Sequence, residues 1–168
     1  VVDYKTGKKE FRLSDVVQGL NLQMLLYLAA VSRNGAARYG KRPRPAGVLY
    51  MPSAEPQLTG SRGTSAEKVQ AERDKALRMN GLLLDDPEIL RAMEERGKGK
   101  FIPVTLKNGE PARRDYVAGP AELDNILSHV CRLVGEMAQR LHEGQIEAEP
   151  VSGGTDACAW CPYGAVCG

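Results

Sequence analysis

The stretch Leu20-Asn21-Leu22-Gln23-Met24-Leu25-Leu26-Tyr27-Leu28-Ala29-Ala30-Val31 constrains the fold more than any other part of the chain. Wound as a helix, it carries apolar side chains around nearly its whole circumference, so it is expected to be packed on a sheet face and against other helices. Gln23 and Tyr27 interrupt the apolar run, and a spacing of four puts them on one helix face. Polar groups on a buried helix need partners, so both are expected to be fixed by neighbours. Asn34-Gly35 ends the segment.

The chain opens Val1-Val2-Asp3-Tyr4-Lys5. Two β-branched residues followed by Asp and Lys two apart read as the end of a strand, where positions i and i+2 project from the same face. A carboxylate and an ammonium then share one pocket. Such a pair suits metal-assisted phosphodiester cleavage, the Asp holding a divalent cation and the Lys polarising water or steadying charge on phosphate. It equally fits a solvated strand end with a surface ion pair worth little. Thr6-Gly7-Lys8-Lys9 is a turn signal, and Phe11-Arg12-Leu13 either continues as a short strand or leads into Ser14-Asp15, an N-cap. Residues 46–51 read as a buried strand ended by Pro52, giving a strand–helix–strand crossover beside the opening strand. The basic loop before it, with Arg38, Lys41, Arg42 and Arg44, reads as a solvated connection within reach of phosphates if it lies near the site.

Residues 53–63 are rich in Gly, Pro and Ser and read as a loop. Thr64-x-x-Glu67 is a capping box that opens a charged surface helix over 65–79, which Asn80-Gly81 stops. Asp86-Pro87-Glu88 starts a short helix through Met93, broken by Gly97-Lys98-Gly99-Lys100. Residues 101–107 and 110–117 flank Asn108-Gly109, the signature of a type I′ hairpin with Lys107 facing Glu110. Gly119-Pro120-Ala121-Glu122 opens a helix reaching Gly144, its apolar stripe running from Leu123 to Leu141 over about six turns. Cys131 beside this stripe reads as a small buried hydrophobe. His129 and His142 read as surface or cap residues.

Three of the four cysteines, Cys158, Cys161 and Cys167, close the chain in a C-x2-C-x5-C turn with interleaved Trp160, Pro162 and Tyr163. The clustering predicts a metal or cluster site in an intracellular, cytoplasmic protein, not a disulfide framework. Three thiolates leave one position open. Zinc would need a fourth ligand, with His142 a distant candidate, and Cys131 in mid-helix is poorly placed to complete an iron-sulfur cluster. With 168 residues, 42% hydrophobic and 26% charged, the chain is of ordinary globular make-up and about one domain long. A net charge of +2 gives no general attraction to nucleic acid, so any DNA contact must come from local patches. No run approaches a membrane span. The opening strand wants neighbours on both sides, so the chain is expected to be a piece of something longer.

An Asp-x-Lys strand, a Gly turn and a Gln-x-x-x-Tyr helix follow in the order seen in RecB-like nucleases of the PD-(D/E)xK superfamily, which Asp3, Lys5, Gln23 and Tyr27 resemble. With the Ala-Gly-Val-Leu-Tyr strand, the Met-Asn-Gly-Leu stretch and the closing Cys turn, the chain is similar to nuclease domains of the AddB (RexB) family of bacterial helicase-nuclease subunits. The resemblance implies an α/β fold, a fragment of the nuclease core with a central mixed sheet flanked by helices, a small hairpin and a C-terminal Cys-rich turn. Residues 1–150 would be the C-terminal part of the nuclease domain, with 52–119 a family insert, and 151–168 the iron-sulfur segment. It implies a Mg²⁺-dependent exonuclease that processes double-strand DNA ends for recombinational repair beside an AddA-type helicase-nuclease subunit. Asp3 would ligate Mg²⁺ with the Tyr4 carbonyl, Lys5 would position water or stabilise the phosphate, and Gln23 and Tyr27 would hold the DNA backbone or orient the site. Cys158, Cys161 and Cys167 would hold a [4Fe-4S] cluster with a fourth Cys upstream of this stretch. Since the family's first acidic ligand also lies upstream, the 168 residues alone are expected neither to cut DNA nor to keep an intact cluster. Two rival readings are a free-standing Cas4-type exonuclease and a non-catalytic DNA- or partner-binding module with structural zinc.

Overall fold

The strand that carries Asp3 and Lys5 forms one edge of a four-stranded mixed sheet. The computed structural model describes residues 1–7, 9–58, 61, 63–95, 97–147, 150 and 157–167. Strand β1 (Val2–Lys5) pairs parallel with β2 (Gly47–Pro52), setting Asp3 opposite Tyr50 and Lys5 opposite Pro52. β2 pairs antiparallel with β3 (Asn80–Leu84), and β3 pairs parallel with β6 (Val117–Ala118), in the order β1-β2-β3-β6. A crossover through α1 (Leu13–Val17), α2 (Gln23–Asn34) and α3 (Ala36–Tyr39) joins β1 to β2, as a parallel pair requires.

Alternation along the strands divides the interior into two apolar clusters. Val48, Tyr50, Leu82, Leu84 and Ala118 face α2 and the long helix α6 (Pro120–His142), meeting Leu25, Leu28, Leu123, Leu127 and Val130. Leu49, Leu83 and Val117 face the other way, onto Leu90, Ile102 and Val104. Leu25, Leu83, Leu90 and Val130 have no exposed surface, and burying each stabilises the fold by about 1.5–3 kcal/mol.

Several expectations are corrected here. α2 is not buried all round: Met24, Leu25, Leu28, Ala29 and Ser32 are buried, but Gln23, Tyr27 and Val31 lie on a solvent-facing side. It packs between sheet and α6 on one side only, so its outer apolar residues have no neighbour to bury them. α1 starts after Arg12, and Asp15 is not a cap but a buried carboxylate inside it. α4 (Ala66–Ala76) is capped by Ser65, whose Oγ accepts from the Lys68 N–H, one residue later than the expected Thr64 box. Thr64 instead turns its hydroxyl back to the Ser61 carbonyl.

Asn80-Gly81 does not stop a helix; it opens central strand β3. A Cβ at Gly81 would lie 2.0 Å from the Val48 carbonyl oxygen, so only glycine admits this approach of β2 to β3. Residues 52–119 supply two of the four sheet strands, β3 and β6. The hairpin is shorter than expected, β4 (Leu106–Lys107) with β5 (Glu110–Pro111), because Val117 leaves it to join the main sheet. Its turn is as expected, with Asn108 and Gly109 both at positive φ and Lys107 opposite Glu110.

Helix α5 (Pro87–Met93) begins at Asp86, whose carboxylate accepts from the Glu88 and Ile89 N–H groups. Glu94, just beyond it, is buried and accepts from the backbone N–H groups of Lys100, Phe101 and Ile102 at 2.8, 3.0 and 3.3 Å. Phe101 in turn accepts from Met79 at the start of β3 through its carbonyl. At the head of α6 the Glu122 carboxylate accepts from the Gly119 N–H at 2.7 Å. The α6 stripe is buried as far as Val130, while Met137 and Leu141 are exposed, so the helix outruns the sheet it packs on. Cys131 is half-buried against the first cluster. The Gly153-Gly154 stretch expected to lead into the cysteine turn lies outside the described residues. That turn begins with a 3₁₀ turn (Ala157–Trp160) and ends in α7 (Gly164–Cys167).

Candidate active site

Asp3 and Lys5 project from β1 onto the sheet face that carries Tyr50, as the two-residue spacing requires. The Lys5 ammonium lies 2.6 Å from Asp3 Oδ2. It also stands 5.7 Å from the centre of the Tyr50 ring, within cation–π range. Asp3 Oδ2 is itself buried, and no described residue gives it a hydrogen bond of proper angle, so Lys5 is its close polar neighbour. The close contact with the Asp3 carboxylate raises the Lys5 pKa, against a smaller opposing effect of desolvation, so Lys5 is an ammonium throughout the neutral range. Burial raises the pKa of the Tyr50 phenol; Lys5 lowers it, and the charges of Asp3 and Asp15 raise it further.

Gln23 and Tyr27 partner each other across one turn of α2, the Gln23 amide donating to the Tyr27 hydroxyl at 3.1 Å. Both are exposed, and Tyr27 is close enough to Lys5 to act on its charge. Asp3 and Lys5 thus share the end of β1, while Tyr27 of α2 acts on the Lys5 charge and Gln23 bonds to Tyr27. The main-chain carbonyls of Val1 and Lys5 accept from Leu49 and Ser53 in and beside β2. By alternation the Tyr4 carbonyl points the opposite way, to the side of β1 that no described strand covers.

A cavity of about 660 Å³ opens beside Lys5, with Lys9, Tyr50, Gln57, Lys75 and Arg78 among its walls. The basic loop is elsewhere. Arg44 precedes β2 at the end remote from Pro52, pairing with Asp86 at 3.2 Å, and Arg42 donates to the Ser32 carbonyl. Arg42 and Arg44 are thus engaged with a helix carbonyl and with the cap of α5, at the end of β2 away from Lys5.

Sequence reading missed the residues behind the site. Asp15, Asn21 and Lys9 form a chain: Lys9 Nζ donates to Asn21 Oδ1, and Asn21 Nδ2 donates to Asp15 Oδ2 at 2.8 Å. The signal was Asn21 itself, since Asn after a Gly–Leu pair is suited to the left-handed conformation it adopts, φ +56°.

In the cysteine turn, Cys158 and Cys161 are exposed and lie on one turn, the Cys161 N–H donating to the Cys158 carbonyl at 3.1 Å. Cys167 belongs to α7, and its side chain lies outside what is described. His142 ends α6 and is exposed; His129 is half-buried and meets the Arg132 guanidinium at 3.0 Å.

The profile of the PD-(D/E)XK nuclease superfamily matches residues 1–168. The chain belongs to this superfamily. Relatives agree with the superfamily assignment. The chain is 37% identical to a subunit of the ATP-dependent helicase/deoxyribonuclease of Desulforudis audaxviator, over 99% of its own length and 15% of the relative's. It is 34% identical to the corresponding helicase/deoxyribonuclease subunit from Clostridium novyi, again over 99% and 15%. The chain therefore spans about 15% of the length of the curated relatives it matches. The AddB-type resemblance and the α/β nuclease fold with a mixed sheet flanked by helices both stand.

PD-(D/E)XK nucleases generally use a divalent metal, and the donors at β1 suit one. A buried carboxylate oxygen without a well-aligned hydrogen bond and an outward main-chain carbonyl are hard oxygen ligands of the kind Mg²⁺ takes. Among the described residues no group of three or more His, Cys, Asp or Glu side chains gathers as a complete metal site. The paired thiols of the terminal turn are soft donors, suited to zinc or to an iron-sulfur cluster. No helix among the described residues is long and apolar enough to cross a membrane.

Proposed function

We propose that this chain is the nuclease part of a helicase-nuclease subunit that cuts DNA at double-strand ends for recombinational repair, beside an AddA-type partner in the cytoplasm. The reading rests on one observation above others: Asp3 and Lys5 sit 2.6 Å apart on one strand face, with Asp3 Oδ2 shielded from solvent. Asp3 and the Tyr4 carbonyl would hold Mg²⁺, which when bound supplies Lewis-acid stabilisation and an activated water. Lys5, kept as an ammonium by its neighbours, is suited to steady negative charge on a phosphate oxygen and not to take a proton. Gln23 and Tyr27 present an amide and a phenol to solvent, with Tyr27 acting on the Lys5 charge, and are suited to hydrogen-bond the DNA backbone and set its register.

Cys158, Cys161 and Cys167 would hold a [4Fe-4S] cluster with a cysteine from elsewhere in the full-length protein, stapling the end of the domain. With one carboxylate and one carbonyl at β1, a bound Mg²⁺ would keep mostly water ligands, so the 168 residues alone are proposed to be inactive. The test uses the full-length protein in its complex. Asp3→Ala is expected to abolish Mg²⁺-dependent cleavage and weaken divalent-cation binding by calorimetry, while leaving DNA-end binding unchanged. Undiminished cleavage would remove Asp3 from the mechanism, and joint loss of cleavage and end binding would point to a DNA-docking role instead.

A further inference from the structure

Helix α2 delivers Gln23 as its first residue; Leu22 and Met24 beside it are buried in the first cluster, but the helix start has no side-chain cap. The N-cap Leu22 makes no side-chain cap bond and has helical backbone angles. The polar link at this entry is Asn21, one residue earlier than Leu22. Its left-handed backbone, φ +56°, redirects the chain after α1, a conformation most side chains resist and Asn tolerates. Its side chain ties three segments together: Lys9 in the connector after β1, Asp15 in α1, and the first turn of α2.

The far end of this chain is well anchored. Asp15 is 9% exposed, its Oδ2 accepts from Asn21, and its backbone carbonyl accepts from the Leu20 N–H at 2.8 Å. Among the described residues Asp15 Oδ1 is buried with no hydrogen-bond partner, and Asn21 donates to the other oxygen. Lys9 lines the same cavity as Lys5, which places the other end of the chain at the site.

We propose that Asn21 is a positioning residue of the nuclease site, its amide clamping Lys9 to Asp15 so that α2 holds Tyr27, with Gln23 bonded to it, toward Lys5. This rests on the reading that Gln23 serves the cleavage site. A misplacement on the ångström scale is enough to cost roughly 10- to 100-fold in rate, so loss of the clamp should act on turnover more than on DNA affinity.

The test uses the full-length protein in its complex, with Asn21→Gly, which allows the same backbone conformation but removes the amide. The expected result is a kcat for cleavage roughly 10- to 100-fold lower with KM for DNA within about 3-fold of the parent. Two further measurements separate positioning from stability. In a Gln23→Ala background, Asn21→Gly should cause no further loss, since a residue acting through Gln23 has nothing left to place. Paired Asn21→Asp and Asp15→Asn substitutions reverse donor and acceptor while keeping the Lys9 bond, and should recover kcat to within about 3-fold of the parent. An unchanged kcat in Asn21→Gly overturns the proposal whatever Gln23→Ala does. Losses that multiply in the double variant also overturn it, assigning Asn21 to general stability. A harmless Gln23→Ala beside a damaging Asn21→Gly overturns both this proposal and the role given to Gln23, but leaves Asp3 and Lys5 in place.

Discussion

Replacing Glu94 by Ala removes a buried carboxylate that accepts three backbone N–H groups, and the loss should be read directly in stability. Those N–H groups, of Lys100, Phe101 and Ile102, lie in a loop with Ile102 only 2% exposed, so water cannot replace the carboxylate for all of them. Bonds to a charged acceptor are worth about 1.5–3 kcal/mol each, and three sharing one carboxylate are not additive, so the net cost is set at about 3–5 kcal/mol. For a chain of this size that lowers Tm by roughly 6–20 °C, at 2–4 °C per kcal/mol. Glu94→Gln keeps one carbonyl oxygen with two acceptor positions, and should cost about 1–2 kcal/mol. The acid limb supplies a second readout. Burial alone would raise the Glu94 pKa, but the backbone N–H bonds from Lys100, Phe101, Ile102 and Gly99 together outweigh it and hold the folded value below 4.5. Between that value and 4.5 the unfolded chain binds more protons than the native one, so stability rises with pH through the window. Glu94 thus contributes fully above pH 4.5, and its contribution fades as pH falls through the folded pKa. Urea unfolding followed by circular dichroism between pH 3 and 7 should show that fading in the parent and a flatter acid limb in Glu94→Gln. A Glu94→Ala chain that melts with the parent, or an identical acid limb in Glu94→Gln, would refute the argument.

Gly81→Ala should destabilise the fold by about 3 kcal/mol, read as a lower urea midpoint, because its Cβ would meet the Val48 carbonyl at 2.0 Å. Lys5→Met removes the positive charge 2.6 Å from Asp3 Oδ2, so it should abolish cleavage while tightening divalent-cation binding in calorimetry; weaker binding would contradict the electrostatic reading. Cys158→Ser or Cys161→Ser in the full-length protein should bleach the brown colour and the iron and sulfide content of anaerobic preparations, whereas one zinc with no iron would replace the cluster by a structural metal.

The long apolar periods were legible in the sequence. Helix α6 follows from its stripe and from Gly119-Pro120 at its start, and the tight turn from Asn108-Gly109, since each signal is local and its physics is complete within a few residues. β3 was hidden because Asn80-Gly81 is a turn signal in isolation, and only the neighbouring strand makes glycine a requirement for close backbone approach. The inward face of α2 was legible but its outward face was not, since periodicity reports where apolar groups lie and not whether a neighbour covers them. At the site, Asp3 with Lys5 and Gln23 with Tyr27 were readable as short spacings on single elements. Lys9, Asp15 and Asn21 were not, because their association needs the fold to bring three segments together.

The two apolar clusters on opposite faces of the sheet share no buried side chain. The strands link the two faces, and so does α5, whose Ile89 packs on the first cluster and Leu90 in the second. The tip at Asn108-Gly109 hangs from the face opposite Asp3, attached through Leu106 at the margin of the second cluster. That makes it a handle: a fluorophore, an affinity tag or an inserted reporter domain placed there would ride on the nuclease without repacking α2 or α6.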